Sequence, residues 1–181
     1  MQQNRKPLIV IDGETLLDTR LPKRSFCIDT LLPEGISMLG GAPKIGKSWM
    51  VLDFGVRIAK GEPIWNLPTK QGTVLYLALE DSLSRIQERL CKLTDDVPSK
   101  LFFTTVAGTL SDDLCFQIEQ FISEHTDTVL VIIDTFQLVR IGGVDTSYAN
   151  DYSEVRMLKA LADKLHISLL LVHHLRKQGD N

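Results

Sequence analysis

From Ile36 onward, short β-rich runs alternate with stretches in which apolar positions recur every three or four residues. The runs are Ile36–Gly40, Thr73–Leu79, Leu101–Val106, Val129–Ile133 and Ile167–Val172. Helical periodicity covers Lys47–Lys60, Leu83–Leu93, Asp112–Glu124 and Asp151–Leu165. Strands separated by single helices predict βαβ units. Val129–Ile133 and Ile167–Val172 are almost wholly apolar rather than alternating, as strands are when helices cover both faces of a parallel sheet. The expected fold class is α/β, three-layered, around a mainly parallel sheet of at least five strands. Ser111-Asp112-Asp113 stands where it can cap the third helix. The first 35 residues carry Pro7, Pro22 and Pro33 and are expected to be irregular. Their apolar run Leu8–Ile11 ends at Asp12-Gly13, which reads as a hairpin turn. The expected organisation is an N-terminal arm over 1–35 and a core over 36–181.

Composition changes this picture little. The chain has 181 residues, 44% of them hydrophobic, with 20 Lys and Arg against 23 Asp and Glu for a net charge of −3. That suits one globular domain. The apolar run Val129–Ile133 falls far below the roughly 18 residues of a membrane-spanning helix. The first residues lack the apolar core of a signal peptide, so the expectation is a soluble, cytoplasmic protein without a membrane partner. Cys27, Cys91 and Cys115 are widely spaced, which suggests neither a disulfide framework nor a zinc knuckle, and at least one is expected in the core. The charge balance argues against coating nucleic acid by bulk electrostatics and leaves a local basic patch open.

The strongest chemical signal follows the first strand. Gly41-Ala42-Pro43-Lys44-Ile45-Gly46-Lys47-Ser48 satisfies G-x-x-x-x-G-K-[ST] and runs into a helix. Glycines let the backbone bend until its N–H groups face a phosphate. Lys47 neutralises β and γ charge, and Ser48 offers a hydroxyl to Mg²⁺. Lys44 either adds a second cation or faces solvent. Trp49, Leu52 and Phe54 read as packing of the helix on the sheet.

Acidic residues stand at two strand ends. Val129-Leu130-Val131-Ile132-Ile133-Asp134 delivers Asp134 to the C-terminal edge, where open α/β sheets bind ligands and where a carboxylate holds Mg²⁺ through water. Val74–Leu79 likewise delivers Glu80, which can polarise the water attacking a γ-phosphate. Glu80-Asp81 also reads as an acidic pair capping the next helix, a role that fits Asp81 better. The last strand ends in His173-His174. Neighbours on a strand point to opposite faces, so one ion does not take both. One imidazole is expected to reach the γ-phosphate while the other packs on the sheet. His125 and His166 lie at helix-to-strand joints and read as structural.

With these residues in place the chain resembles RecA-like P-loop ATPases, and within them the RepA-type, DnaB-like hexameric replicative helicases. The resemblance spans about Phe26 to Lys177. It rests on Leu32-Pro33-Glu34-Gly35 leading into the phosphate loop and Trp49, on Val74-Leu75-Tyr76-Leu77-Ala78-Leu79-Glu80-Asp81, on Ile132-Ile133-Asp134-Thr135, and on Val172-His173-His174. It implies ATP and Mg²⁺ as cofactors, with residues Gly41 to Trp49 around the nucleotide and Ser48 and Asp134 at the metal. It further implies Lys47, Glu80, Asp134 and His174 as the catalytic set, His174 sensing the γ-phosphate. Single-stranded DNA and a homo-hexamer are the implied partners. Residues 136–150, with Arg140 and Tyr148, and the segment from Leu175, with Arg176 and Lys177, correspond to channel loops. Arg140, Arg176 and Lys177 also read as a solvated surface, the reading that the sequence alone favours. Arg85 and Arg89 either stack on adenine or pair on the helix surface. The family's domain continues with further strands and a trans-acting finger, so the core is expected to be incomplete at Asn181.

Overall fold

A computed structural model describes residues 8–21, 23–141 and 148–175, with backbone alone at 148–151. Five strands form one parallel sheet: β3 (Gly35–Gly41), β4 (Thr73–Ala78), β5 (Leu101–Thr104), β6 (Thr128–Asp134) and β7 (Ser168–His174). Their order is β3-β7-β6-β4-β5. The long helices are α2 (Lys47–Lys60), α3 (Leu83–Leu93), α4 (Leu114–Glu124) and α5 (Tyr148–Leu165). The sequence thus predicts the layers correctly.

Strand parity sorts the core into two halves. Val74, Tyr76, Ala78, Leu130, Ile132, Leu170 and Val172 face α2 and α3, packing with Val51, Leu52, Ile58 and Ile86. Leu75, Leu77, Val131, Ile133, Leu169 and Leu171 face α4 and α5, packing with Leu114, Ile118, Leu158 and Ala162. Every residue of β4 and β6 is buried, as are Ser168–Val172 of β7, which explains the almost wholly apolar runs of β6 and β7. The register pairs Ala78 with Asp134 and Gly41 with His174, so the chemistry-bearing strand ends finish at one edge.

Four local expectations are corrected. Asp12 does not enter a hairpin turn: its Oδ1 accepts from the Thr15 backbone N–H at 2.9 Å and caps the short helix α1 (Gly13–Asp18), which buries none of its residues. Within the segment expected to be irregular, β1 (Phe26–Ile28) pairs antiparallel with β2 (Leu32–Pro33), and Cys27, Ile28 and Leu32 join the α2-side core. Asp112 and Asp113 do not cap α4. Asp112 Oδ2 instead accepts from Thr109 Oγ1 at 2.7 Å, and this local turn competes successfully for the side chain. The fifth-strand run stops at Thr104, whose hydroxyl donates to the Val106 carbonyl at 2.7 Å and turns the chain.

Candidate active site

The loop between β3 and α2 is shaped by Gly46, whose φ of 95° lies in the left-handed region that disfavours a side chain. A Cβ on Gly41 would stand 2.6 Å from Ile45 Cδ1, the far end of an exposed side chain that can turn away, so the demand for glycine falls on Gly46. No side chain caps α2, and its first N–H groups have no intrahelical acceptor; together with the helix dipole they favour an anion. Pro43, Lys44 and Ile45 form the exposed crown of the loop, Ala42 and Ser48 are half-buried, and Lys47 is buried.

Lys47 ties the loop to the sheet. Its Nζ donates to the Gly41 and Ala42 carbonyls at 2.9 and 2.8 Å and lies 3.0 Å from His174 Nδ1. An ammonium has only donors, so Nδ1 accepts and the imidazole proton sits on Nε2. Nε2 lies 3.4 Å from Glu80 Oε2. Lys47, His174 and Glu80 thus form one line across the strand ends, and all three ammonium protons have protein acceptors. His174 shares the α2 face with Val172, as parity requires. His173 points to the other face, 6.3 Å from the Phe136 ring. Burial, then Arg140, His174 and Lys47, hold the His173 pKa below its usual value.

Asp134 is 4% exposed at the end of β6. Its Oδ2 accepts from Tyr76 Oη at 2.7 Å, whereas its Oδ1 is buried without a hydrogen-bond partner. An orphaned buried carboxylate oxygen is costly, and it suits a divalent cation or its bound water. The Asp134 carboxylate therefore fits Mg²⁺, a cation that keeps water ligands and takes few protein oxygens, and Ser48 stands in the first turn of α2. Burial, then the Asp134 charge, raise the Tyr76 pKa far above its usual range, so the phenol stays a donor. Among the described residues no cluster of three or more His, Cys, Asp or Glu forms a separate metal site.

Several neighbouring residues differ from expectation. Asp81 does not cap α3; Ser82 does, accepting from the Arg85 N–H at 3.3 Å. Asp81 instead forms an ion pair with Arg85, Oδ1 to Nε at 3.2 Å, and accepts a hydrogen bond from Arg89. The arginines thus pair on the helix surface, with Arg89 stacked 5.6 Å over Trp49. Trp49 stays 38% exposed under that guanidinium, while Leu52 and Phe54 enter the core. Arg140 is no solvated cation: its Nε donates to buried Glu154 at 2.8 Å. Glu154 Oε1 accepts from the Ile141 N–H at 2.7 Å, pinning the 3-10 turn Phe136–Val139 to α5. Arg176 and Lys177 lie outside the described residues, as does the side chain of Tyr148. His125 stacks on Phe102 and Phe121, and His166 meets Glu34 at 2.8 Å, both structural contacts. Cys27 is buried, and all three cysteines are free.

Sequence reasoning missed two partnerships, Tyr76 with Asp134 and Arg140 with Glu154. Tyr76 belongs to the run quoted for the resemblance, yet its role depends on β4 lying beside β6. No pattern along the chain fixes that adjacency.

The AAA domain family matches residues 4–180. Among curated proteins, the DNA repair protein RadA of Halalkalibacterium halodurans is 31% identical over 160 residues, covering 82% of this chain and 30% of that protein. RadA of Streptococcus pneumoniae is 26% identical over 152 residues, covering 82% of this chain and 32% of the relative. The chain therefore spans about a third of the length of these relatives. Among solved structures, the ATPase domain of G40P superposes with a TM-score of 0.58 at 16% identity, over 80% of this chain and 58% of that one. A DnaB-like replicative helicase, in a structure titled with its interactions with primase, gives a TM-score of 0.58 at 16% identity, over 80% of this chain and 40% of that one. At this identity the likeness speaks for the fold, which is RecA-like.

Proposed function

The chain belongs to the AAA domain family and is a P-loop ATPase domain; from that premise we propose that it is the ATP-hydrolysing motor of a RepA-like helicase that acts on single-stranded DNA during replication, as a cytoplasmic homo-oligomer and within a hexameric ring. The observation that carries the reading is the convergence of Lys47, His174 and Glu80 on one line beside the glycine loop. Helicase and DNA-repair names among the neighbours and relatives support the DNA substrate.

The mechanism follows from the donors and acceptors available. When ATP enters, Lys47 exchanges neutral carbonyl acceptors for β and γ oxygens, a gain because charge-assisted hydrogen bonds are the stronger ones. The N–H groups at the start of α2 surround the same phosphates. Ser48 and Asp134 would hold Mg²⁺, whose charge would offset that of the phosphates. Glu80 orients the attacking water and accepts its proton. His174, displaced from Lys47, turns its imidazole to the γ-phosphate and reports its presence to the loops that follow β6 and β7.

The test is ATP turnover by the full chain and by Lys47→Ala, each with and without single-stranded DNA, alongside the mass in solution. DNA-stimulated turnover that the substitution abolishes, in a multimeric protein, is the expected result. ATP binding without DNA stimulation in a monomer would favour instead a nucleotide-dependent switch or scaffold that unwinds nothing.

A further inference from the structure

Tyr76 is among the largest fully buried side chains, 1% exposed in the middle of β4. Its ring lies 5.8 Å from that of Phe103, inside the apolar layer beneath α2. A phenylalanine would fill this space without the cost of burying a hydroxyl. The hydroxyl has one partner, Asp134 Oδ2 at 2.7 Å. Ala78 pairs with Asp134 across β4 and β6, and Tyr76 precedes Ala78 by two residues, so Tyr76 and Asp134 share the face toward the phosphate loop.

A carboxylate turns easily about its last bond and presents two equivalent oxygens. Here the equivalence is broken: one oxygen is held by the phenol and the other is buried without a partner. We infer that Tyr76 is a positioning residue for the metal, fixing the Asp134 carboxylate so that Oδ1 alone faces Mg²⁺ or its water. The inference rests on the nucleotide-and-metal reading above and adds to it the residue that orients the ligand. Groups that orient metal ligands in this way commonly alter metal affinity by about 10- to 100-fold when removed.

The experiment measures binding of fluorescent N-methylanthraniloyl-ADP to the full chain across a Mg²⁺ series that begins in EDTA, so hydrolysis plays no part. For Tyr76→Phe, the Mg²⁺ concentration giving half of the affinity gain should rise about 10-fold or more, with affinity in EDTA unchanged. A purely structural phenol would lower the unfolding midpoint and leave the Mg²⁺ response where it was, overturning the inference. A second pair removes the buried charge and so protects folding. In Asp134→Asn the phenol holds the amide oxygen and turns NH₂ to the metal, abolishing the Mg²⁺ effect. Adding Tyr76→Phe frees the amide to rotate and should restore part of it; no restoration would count against the inference. If the unaltered chain binds nucleotide with no Mg²⁺ response, the metal reading itself fails and the inference falls with it. If the chain responds and Tyr76→Phe matches it, the inference alone fails.

Discussion

Replacing Arg140 by methionine removes the cation that faces Glu154, and the consequence can be worked from the two side chains. Glu154 is 0% exposed and Arg140 9%, with Nε to Oε2 at 2.8 Å. After the substitution, Glu154 keeps one donor, the Ile141 N–H at 2.7 Å, for a carboxylate out of reach of solvent. Removing one partner of a buried pair costs about 3–5 kcal/mol, mostly from the charge left behind. Loss of the guanidinium over the Phe136 ring, 5.7 Å away, adds a smaller penalty of roughly 0.5–1 kcal/mol. Against a total stability of about 5–15 kcal/mol the loss is severe. Adding Glu154→Gln in the same background removes the charge while its amide oxygen still accepts from Ile141. The double variant should therefore regain most of the loss, remaining about 1–2 kcal/mol below the parent. Urea unfolding at pH 7, followed by far-ultraviolet circular dichroism, reads both numbers. A single variant that loses under about 1 kcal/mol, or a double variant no better than the single, would refute the reasoning that burial of the charge dominates.

Gly46→Ala forces a side chain into φ 95°, at a cost on the order of 1–2 kcal/mol. No neighbour stands within 4 Å of the new Cβ, so the strain falls on the loop. If the loop relieves the strain by leaving its phosphate-binding shape, isothermal titration should find nucleotide affinity reduced by about 5- to 25-fold, by the usual conversion of about 1.4 kcal/mol per decade. His173 predicts a pH dependence: because its folded pKa lies below its unfolded value of about 6.5, the unfolded chain binds the proton first. Stability therefore declines as pH falls from about 6.5 through the lowered pKa, and it is flat above. His173→Gln should remove that part of the slope in urea titrations at pH 5 to 7.5.

The layers were legible because burial writes itself into composition: the runs Val129–Ile133 in β6 and Ile167–Val172 at β7 are buried and read as almost wholly apolar. The phosphate loop was legible because its backbone demands glycine at a set place. Asp12 and Asp112 were misread for a shared reason, since one short acidic side chain serves a turn, a cap or a neighbouring hydroxyl equally well. Which partner wins depends on where the chain goes next. Along the chain Arg140 reads as either a DNA contact or a solvated cation, because Glu154, 14 residues later, is brought beside it only by the fold. The Lys47–His174–Glu80 line joins three elements distant in sequence. Parity indicated that the two histidines diverge, but only the register of β7 beside β3 shows His174 at Gly41.

The central claim, that these residues form a site for hydrolysing ATP and not merely for binding it, is tested most directly at Glu80. Glu80→Gln preserves size and can still approach His174, but it takes no proton. Phosphate release and nucleotide affinity should be measured together on the same preparation. Turnover should fall by about 10²- to 10⁴-fold, the usual contribution of a positioned base. Affinity should stay near the parent value, because the lost interaction operates only in the transition state. Turnover close to that of the parent, or binding and turnover lost in equal measure, would contradict the account.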